Sequence, residues 1–139
     1  MKRIEHLYPN DPEGAKAGYT EFRVKLQAHS RAEEETLYST LLKKTTIGEK
    51  VDDEVREGKE EHHLADFLIN ELTQIPPADP KWKAKFRVLQ ESVEHHLDEE
   101  EDYFHLWRKK LTPAEDKRIL ARYLSRRKAH LTELSTLHH

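Results

Sequence analysis

Hydrophobic residues along this chain recur every three or four positions, which is the spacing of one face of an α-helix. The first long stripe consists of Tyr19, Phe22, Leu26, Leu37 and Leu41. A later stripe consists of Phe86, Leu89, Val93, Phe104, Trp107 and Leu111. No run of alternating polar and apolar residues indicates a strand. The pattern predicts an all-α protein built from long helices.

Capping signals divide the chain into four helices. Asp11 and Asp79 are each followed by proline, which combines an N-cap residue with the residue favoured at the first helical position. Residues 112–115 read TPAE, a capping box. Residues 45–48 and the pair Pro76-Pro77 interrupt the periodic pattern. The predicted helices cover about 12–44, 49–74, 80–110 and 113–136, within a single domain of residues 1–139.

Polar residues interrupt two of the apolar stripes at matching places. His29 and Glu33 lie on the seam of the first helix, and His96 and Glu100 lie on the seam of the third. A constant shift of 67 residues carries the first pair onto the second, together with the apolar positions before them. This internal repeat predicts a two-fold arrangement around a shared site, and it selects His96 over the preceding His95.

The repeated histidine and glutamate pairs have the spacing of metal ligands. Residues four apart on a helix stack one turn apart, so an imidazole and a carboxylate can converge on one ion. His62 lies on the apolar stripe of the second helix, and Asp66, one turn later, is a weaker candidate. One buried pair without metal would be ordinary, but so many buried ionisable groups would cost several kcal/mol each without a cation. Nitrogen and oxygen donors without sulfur suit iron, manganese or zinc.

The composition narrows the possible partners and compartments. Charged residues make up 37% of the 139 residues, against about 25% in an average soluble protein. The net charge of −3 gives no positive electrostatic field that would attract nucleic acid or anionic lipid. No stretch approaches the roughly 18 apolar residues that cross a bilayer, so we expect no membrane partner and a cytoplasmic location. The absence of cysteine excludes thiolate chemistry, and the ten histidines are the one compositional excess.

Three segments carry a family resemblance. HSRAEEETLY, KEEHHLADFL and VEHHLDEEEDYF resemble the three successive blocks of hemerythrin-like HHE cation-binding domains, and the resemblance runs from about Tyr19 to Leu111. It implies an antiparallel four-helix bundle around a carboxylate-bridged non-haem di-iron centre. Two iron ions are the implied cofactor, with manganese or zinc as alternatives. Carried over by motif, the implied metal ligands are His29, Glu33, His62, His96 and Glu100.

The chain departs from the family at its start. The family's first helix, which supplies one more histidine ligand, is largely missing, and residues 1–10 resemble only its end. His6 lies too close to Pro9 to take the place of that ligand. Three alternatives stay open: the last helix closes the bundle and offers His130, a second chain covers the open wall in a homodimer, or the site is incomplete.

The resemblance also implies a set of functions. Family activities include reversible dioxygen binding and the sensing of oxygen, redox state or iron, with dioxygen or another small oxidant as the partner. An open metal position would equally allow an enzyme that consumes peroxide or nitric oxide. A metal-free helical interaction domain is the third hypothesis. The sequence does not decide whether the protein is an enzyme.

Overall fold

The computed structural model describes residues 11–137, and this part of the chain is helical without any strand. The elements are α1 (Pro12–Glu33), a π-helical turn (Glu34–Tyr38), α2 (Ser39–Lys43), α3 (Glu49–Thr73), α4 (Pro80–Arg108) and α5 (Pro113–Leu137). The first three follow one another without a break, so four long helical rods result. None of the helices in the described range has the length and apolar character needed to span a membrane. The remnant at residues 1–10, His6, His138 and His139 lie outside the described residues.

The helix starts are held by side-chain caps. Asp11 accepts a hydrogen bond of 3.0 Å from a backbone amide in the first turn of α1, and Asp79 accepts one of 2.9 Å at the start of α4. Thr112 and Glu115 each accept from the backbone amide of the other, at 3.1 and 2.9 Å. Gly48, before α3, has a φ of 85°, which glycine adopts without strain. These contacts satisfy amides that the first helical turn leaves unpaired.

The contacts between helices establish an antiparallel bundle. Near the start of α1, the Tyr19 hydroxyl donates to the carbonyl of Ile69 near the end of α3. Further along α1, Gln27 donates to Asp66, which lies earlier in α3. The same order holds for α3 with α4 and for α1 with α5: later residues of one helix contact earlier residues of the other. The chain therefore forms an up-down-up-down four-helix bundle.

The fourth wall of the bundle is α5. Its Leu134 is 2% exposed and packs on Val24 and Ala28 of α1. Arg126 forms an ion pair of 2.6 Å with Glu35 in the π-helical turn. The helix predicted last in the sequence thus packs along the first helical rod and completes the bundle.

Two hydrophobic clusters occupy opposite ends of the bundle. One cluster includes Tyr19, Ile69, Leu72, Trp82, Phe86 and Leu89. The other includes Tyr38, Leu41, Val51, Val55 and Trp107. Each large apolar side chain that is fully buried stabilises the fold by about 1.5–3 kcal/mol. Because both ends are packed, the polar residues between them lie on a rigid frame.

The π-helical turn changes which residues of the first rod face the core. Each backbone hydrogen bond of a π-helical turn spans one residue more than in an α-helix. The side chains that follow the turn are therefore rotated about the helix axis. Leu37, which the regular stripe places on the seam, is only partly buried, whereas Tyr38 is fully buried. The correspondence between the first and third predicted helices does not extend past this turn: Leu41 is buried, whereas Arg108, 67 residues later, is exposed.

Candidate metal centre

Four buried side chains from three helices converge between the two hydrophobic clusters. They are Glu33 at the end of α1, His62 of α3, and His96 and Glu100 of α4. One donor atom from each lies within 4.8 Å of those of the other three. The four residues are only 3–6% exposed. The structure thus brings together four of the five residues that the sequence pattern selects.

The donor atoms of these side chains face one another. Nε2 of His62 lies 3.1 Å from Nε2 of His96 and 3.3 Å from Oε1 of Glu33. Nε2 of His96 lies 3.3 Å from Oε1 of Glu100, the residue one turn later. The i, i+4 spacing therefore has the effect expected on α4, where imidazole and carboxylate point to the same centre.

His29, the fifth predicted residue, lies beside this group but outside its tightest set. Its Nε2 lies 3.4 Å from Oε2 of Glu33, and its Nδ1 lies 2.5 Å from the hydroxyl of Tyr123 on α5. A void of about 10 Å³ borders His29, His62 and His96. That volume corresponds to a single water-sized particle. Because its Nδ1 contacts Tyr123, His29 lies on the side of the centre that α5 covers.

Two other candidates from the sequence lie away from the centre. Asp66 accepts a hydrogen bond of 3.2 Å from Gln27. The side chain of His63, which follows His62 in the chain, is 61% exposed. His130 is buried, but its Nε2 pairs with Glu35. The last helix therefore closes the bundle without bringing His130 to the four clustered residues.

Several partners of these residues could not be read from the stripes. Oε1 of Glu61 lies 2.9 Å from Nδ1 of His96, and Oε2 of Glu34 lies 3.2 Å from Nδ1 of His62. Such contacts on the outer ring nitrogen fix the orientation of an imidazole. Both carboxylates come from a neighbouring helix, so no spacing within one helix reveals them. The only sequence signal is the excess of glutamates beside the histidines.

Tyr38 is another partner that the stripes miss. Its hydroxyl donates to Oε2 of Glu100 at 2.5 Å, and its ring stacks on His62 with 5.4 Å between ring centroids. A regular helix would turn this residue off the seam, and the π-helical turn brings it in. Burial and the carboxylates of Glu33 and Glu100 raise the pKa of Tyr38 far above its usual range, so the phenol stays neutral.

The imidazoles of the centre carry raised pKa values. Burial lowers the pKa of His62, but Glu33 and Glu34 outweigh it and raise that pKa to about 9. Burial also lowers the pKa of His96, and Glu100 and Glu61 reverse this to a net increase. Because metal binding requires the neutral imidazole, a metal ion would displace a proton here.

The two carboxyl groups are driven in opposite directions. Burial raises the pKa of Glu33, but the neighbouring imidazoles of His29 and His62 pull it well below its ordinary value. Burial raises the pKa of Glu100, His96 opposes this, and the adjacent carboxylate of Glu33 raises it further. Two acidic groups in contact inside a protein are the arrangement that a shared cation stabilises.

The residues at this centre fit a divalent transition metal. His29 Nε2 and Glu33 Oε1 are buried, and their contacts at 3.4 and 3.3 Å do not have hydrogen-bond geometry, although buried polar atoms are normally hydrogen-bonded. Imidazole nitrogens and carboxylate oxygens form a donor set that iron, manganese and zinc accept. A cation held by these residues would compensate charges that are otherwise costly to bury.

A second group of possible ligands lies next to the centre, between α3 and α4. It consists of Glu61, His95 and Glu99, and His95 is exposed. Through its contact with His96, Glu61 connects this group to the buried centre. Exposed acidic groups of this kind are common without an ion, and we assign none to it.

The comparison with known families agrees with this centre. A model of the hemerythrin HHE cation-binding domain matches residues 2–107, which is more than half of the chain. The chain belongs to the hemerythrin HHE cation-binding family. No curated protein and no solved structure matches it. The matched range of this hemerythrin-family chain ends before α5, so the helix that closes the bundle and supplies Tyr123 lies outside the family match.

Proposed function

We propose that this hemerythrin-family protein binds two iron ions between α1, α3 and α4 and uses them to bind dioxygen or to sense oxygen, redox state or iron. The observation that carries the proposal is the convergence of Glu33, His62, His96 and Glu100 in a buried group. Family membership supports cation binding. Manganese and zinc are alternative metals for the same donor set.

In this proposal each helix has a defined part in holding the ions. His29 and Glu33 of α1, His62 of α3, and His96 and Glu100 of α4 would be the ligands. Bound iron would supply an open coordination position for a small oxidant. Glu61 contacts His96, Glu34 contacts His62 and Tyr38 contacts Glu100, and these contacts would hold the three ligands in place.

The first test is anaerobic titration of the metal-free protein with ferrous iron. We expect about two ions per chain, the number that the family's carboxylate-bridged centre holds. His62→Asn and Glu100→Gln should each lose at least one ion. The exposed neighbours provide matched controls, because His63→Asn and Glu101→Gln should bind as the wild type does. Less than one equivalent of any transition metal would favour the metal-free interaction domain instead.

The dioxygen part of the proposal needs a separate measurement. The ferrous protein is exposed to oxygen, and its visible absorption is followed while argon then removes the gas. A band that appears with oxygen and disappears with argon supports reversible binding. Irreversible loss of the iron as a ferric precipitate contradicts it.

A cytoplasmic location is a further part of the proposal, which fractionation of cells that express the chain would test.

A second candidate function is an enzyme that consumes peroxide or nitric oxide. The observation that favours it is a cavity that reaches His29 and Glu33, because turnover requires a route to the centre. Steady consumption of peroxide or nitric oxide by the iron-loaded protein, lost in Glu100→Gln, would support this function. Binding of one equivalent without turnover would support the carrier or sensor.

A further inference from the structure

A cavity of about 400 Å³ lies between α1, α4 and α5 and reaches the metal centre. Its wall is formed mainly by apolar and aromatic side chains: Leu37, Phe104, Trp107, Ile119, Leu120 and Tyr123. An apolar cavity of about 150 Å³ already accommodates benzene. The space therefore greatly exceeds what a diatomic oxidant needs, and it fits an organic molecule with one or two rings.

The inner end of the cavity is polar. Both His29 and Glu33 line it, and the side chain of Glu33 is only 4% exposed. The carboxylate of Glu33 lies between two imidazoles, with Oε2 3.4 Å from Nε2 of His29 and Oε1 3.3 Å from Nε2 of His62. Because a carboxylate oxygen is an acceptor, the matching group on a ligand is a donor such as a hydroxyl.

Among the described residues, the two charged side chains at the outer end of the cavity are paired with each other. Arg108 and Asp116 line it and form an ion pair of 2.7 Å, with side chains 67% and 38% exposed. Since the two charges neutralise each other, the entrance favours a neutral molecule. A phenol is neutral at pH 7, because phenolic hydroxyls have pKa values near about 10.

We propose that this cavity binds a small phenol, with its ring among Phe104, Trp107 and Tyr123 and its hydroxyl donating to Glu33. Aromatic walls favour a planar ring through edge-to-face and offset contacts. Occupation of the cavity does not depend on a metal.

The test uses 4-fluorophenol as the probe and follows its fluorine resonance by NMR in the presence of the full chain. We expect saturable binding with a Kd below about 1 mM. 4-Fluorotoluene has nearly the same shape but lacks the hydroxyl, and it should bind about tenfold more weakly because it cannot donate a hydrogen bond to Glu33. Equal affinity for the two probes would overturn the assignment of a phenol.

Two substitutions on α5 locate the binding site. Ile119→Trp places a larger side chain on the cavity wall and should weaken 4-fluorophenol binding about tenfold. Leu124→Trp is the matched control, because Leu124 is exposed and does not line the cavity. If Ile119→Trp fails to fold, Leu120→Trp at the rim replaces it. Equal affinity in the wall variant and the control would place the probe elsewhere and overturn the proposal.

The same titrations in metal-free and iron-loaded protein separate this proposal from the proposed function. Binding by a chain that takes up no metal would support the phenol site while the metal function fails. Normal iron uptake without saturable probe binding up to about 5 mM, in either form, would overturn the phenol site and leave the metal function intact.

Discussion

Gly58 leaves the space in which Tyr38 reaches Glu100. A Cβ atom at position 58 would lie 2.6 Å from the hydroxyl oxygen of Tyr38 and 3.1 Å from the ring carbon that carries it. The ring cannot move aside easily, because it is fully buried between His62 and Trp107. A glycine within a helix costs about 1 kcal/mol relative to alanine, so its presence in α3 has a packing reason.

We therefore predict that Gly58→Ala destabilises the metal-free protein by about 1–2 kcal/mol, although alanine is the better helix former. In a Tyr38→Phe background the nearest atom is gone, and the loss should be smaller. Urea unfolding of the four proteins in this double-mutant cycle gives the coupling between the two positions. Stabilisation by alanine in both backgrounds would contradict the close contact.

The helices themselves follow closely from local sequence signals. The observed bounds differ from those predicted by caps and prolines by at most two residues. The caps act through contacts within one turn, so the sequence contains all the information they need. The π-helical turn is different, because nothing in EETLY marks it and packing of Tyr38 against α3 and α4 accompanies it.

The capping box of α5 predicts a specific pH dependence. Lys44, whose Nζ lies 2.7 Å from Oε1 of Glu115, and the backbone amide of Thr112 lower the pKa of Glu115 from 4.5 to about 2. A carboxyl group with a lowered pKa contributes stability above the unfolded value of about 4.5 and loses it as the pH falls towards 2.

Glu115→Gln preserves the cap hydrogen bond but removes the charge, so it should destabilise the protein at pH 6 to 7. The difference in unfolding midpoint from the wild type should shrink as the pH falls from about 4.5 towards 2. Glu101→Gln, at an exposed position of α4, is the control. A difference that stays constant over this range would show that the ion pair with Lys44 contributes nothing.

At the scale of the whole molecule, the candidate centre could be foreseen in part. The 67-residue shift and the apolar stripes predict convergence of His62 with the pairs on α1 and α4, and four of these five residues converge. The arrangement around them depends on contacts between helices: Glu61 on His96, Tyr123 beside His29, and Glu35 holding His130 away. Such contacts depend on the rotation of each rod, which periodicity gives only approximately.

The four clustered side chains and α5, the helix that completes the bundle, all belong to one chain. A site formed by one chain keeps its metal affinity at any protein concentration. A site completed by a second chain loses metal affinity when dilution makes the chains dissociate. We therefore predict that the metal content per chain is unchanged when the loaded protein is diluted from about 100 μM to about 1 μM, with solution mass measured in parallel. Loss of metal together with a fall from dimer to monomer mass would instead mean that a homodimer completes the centre.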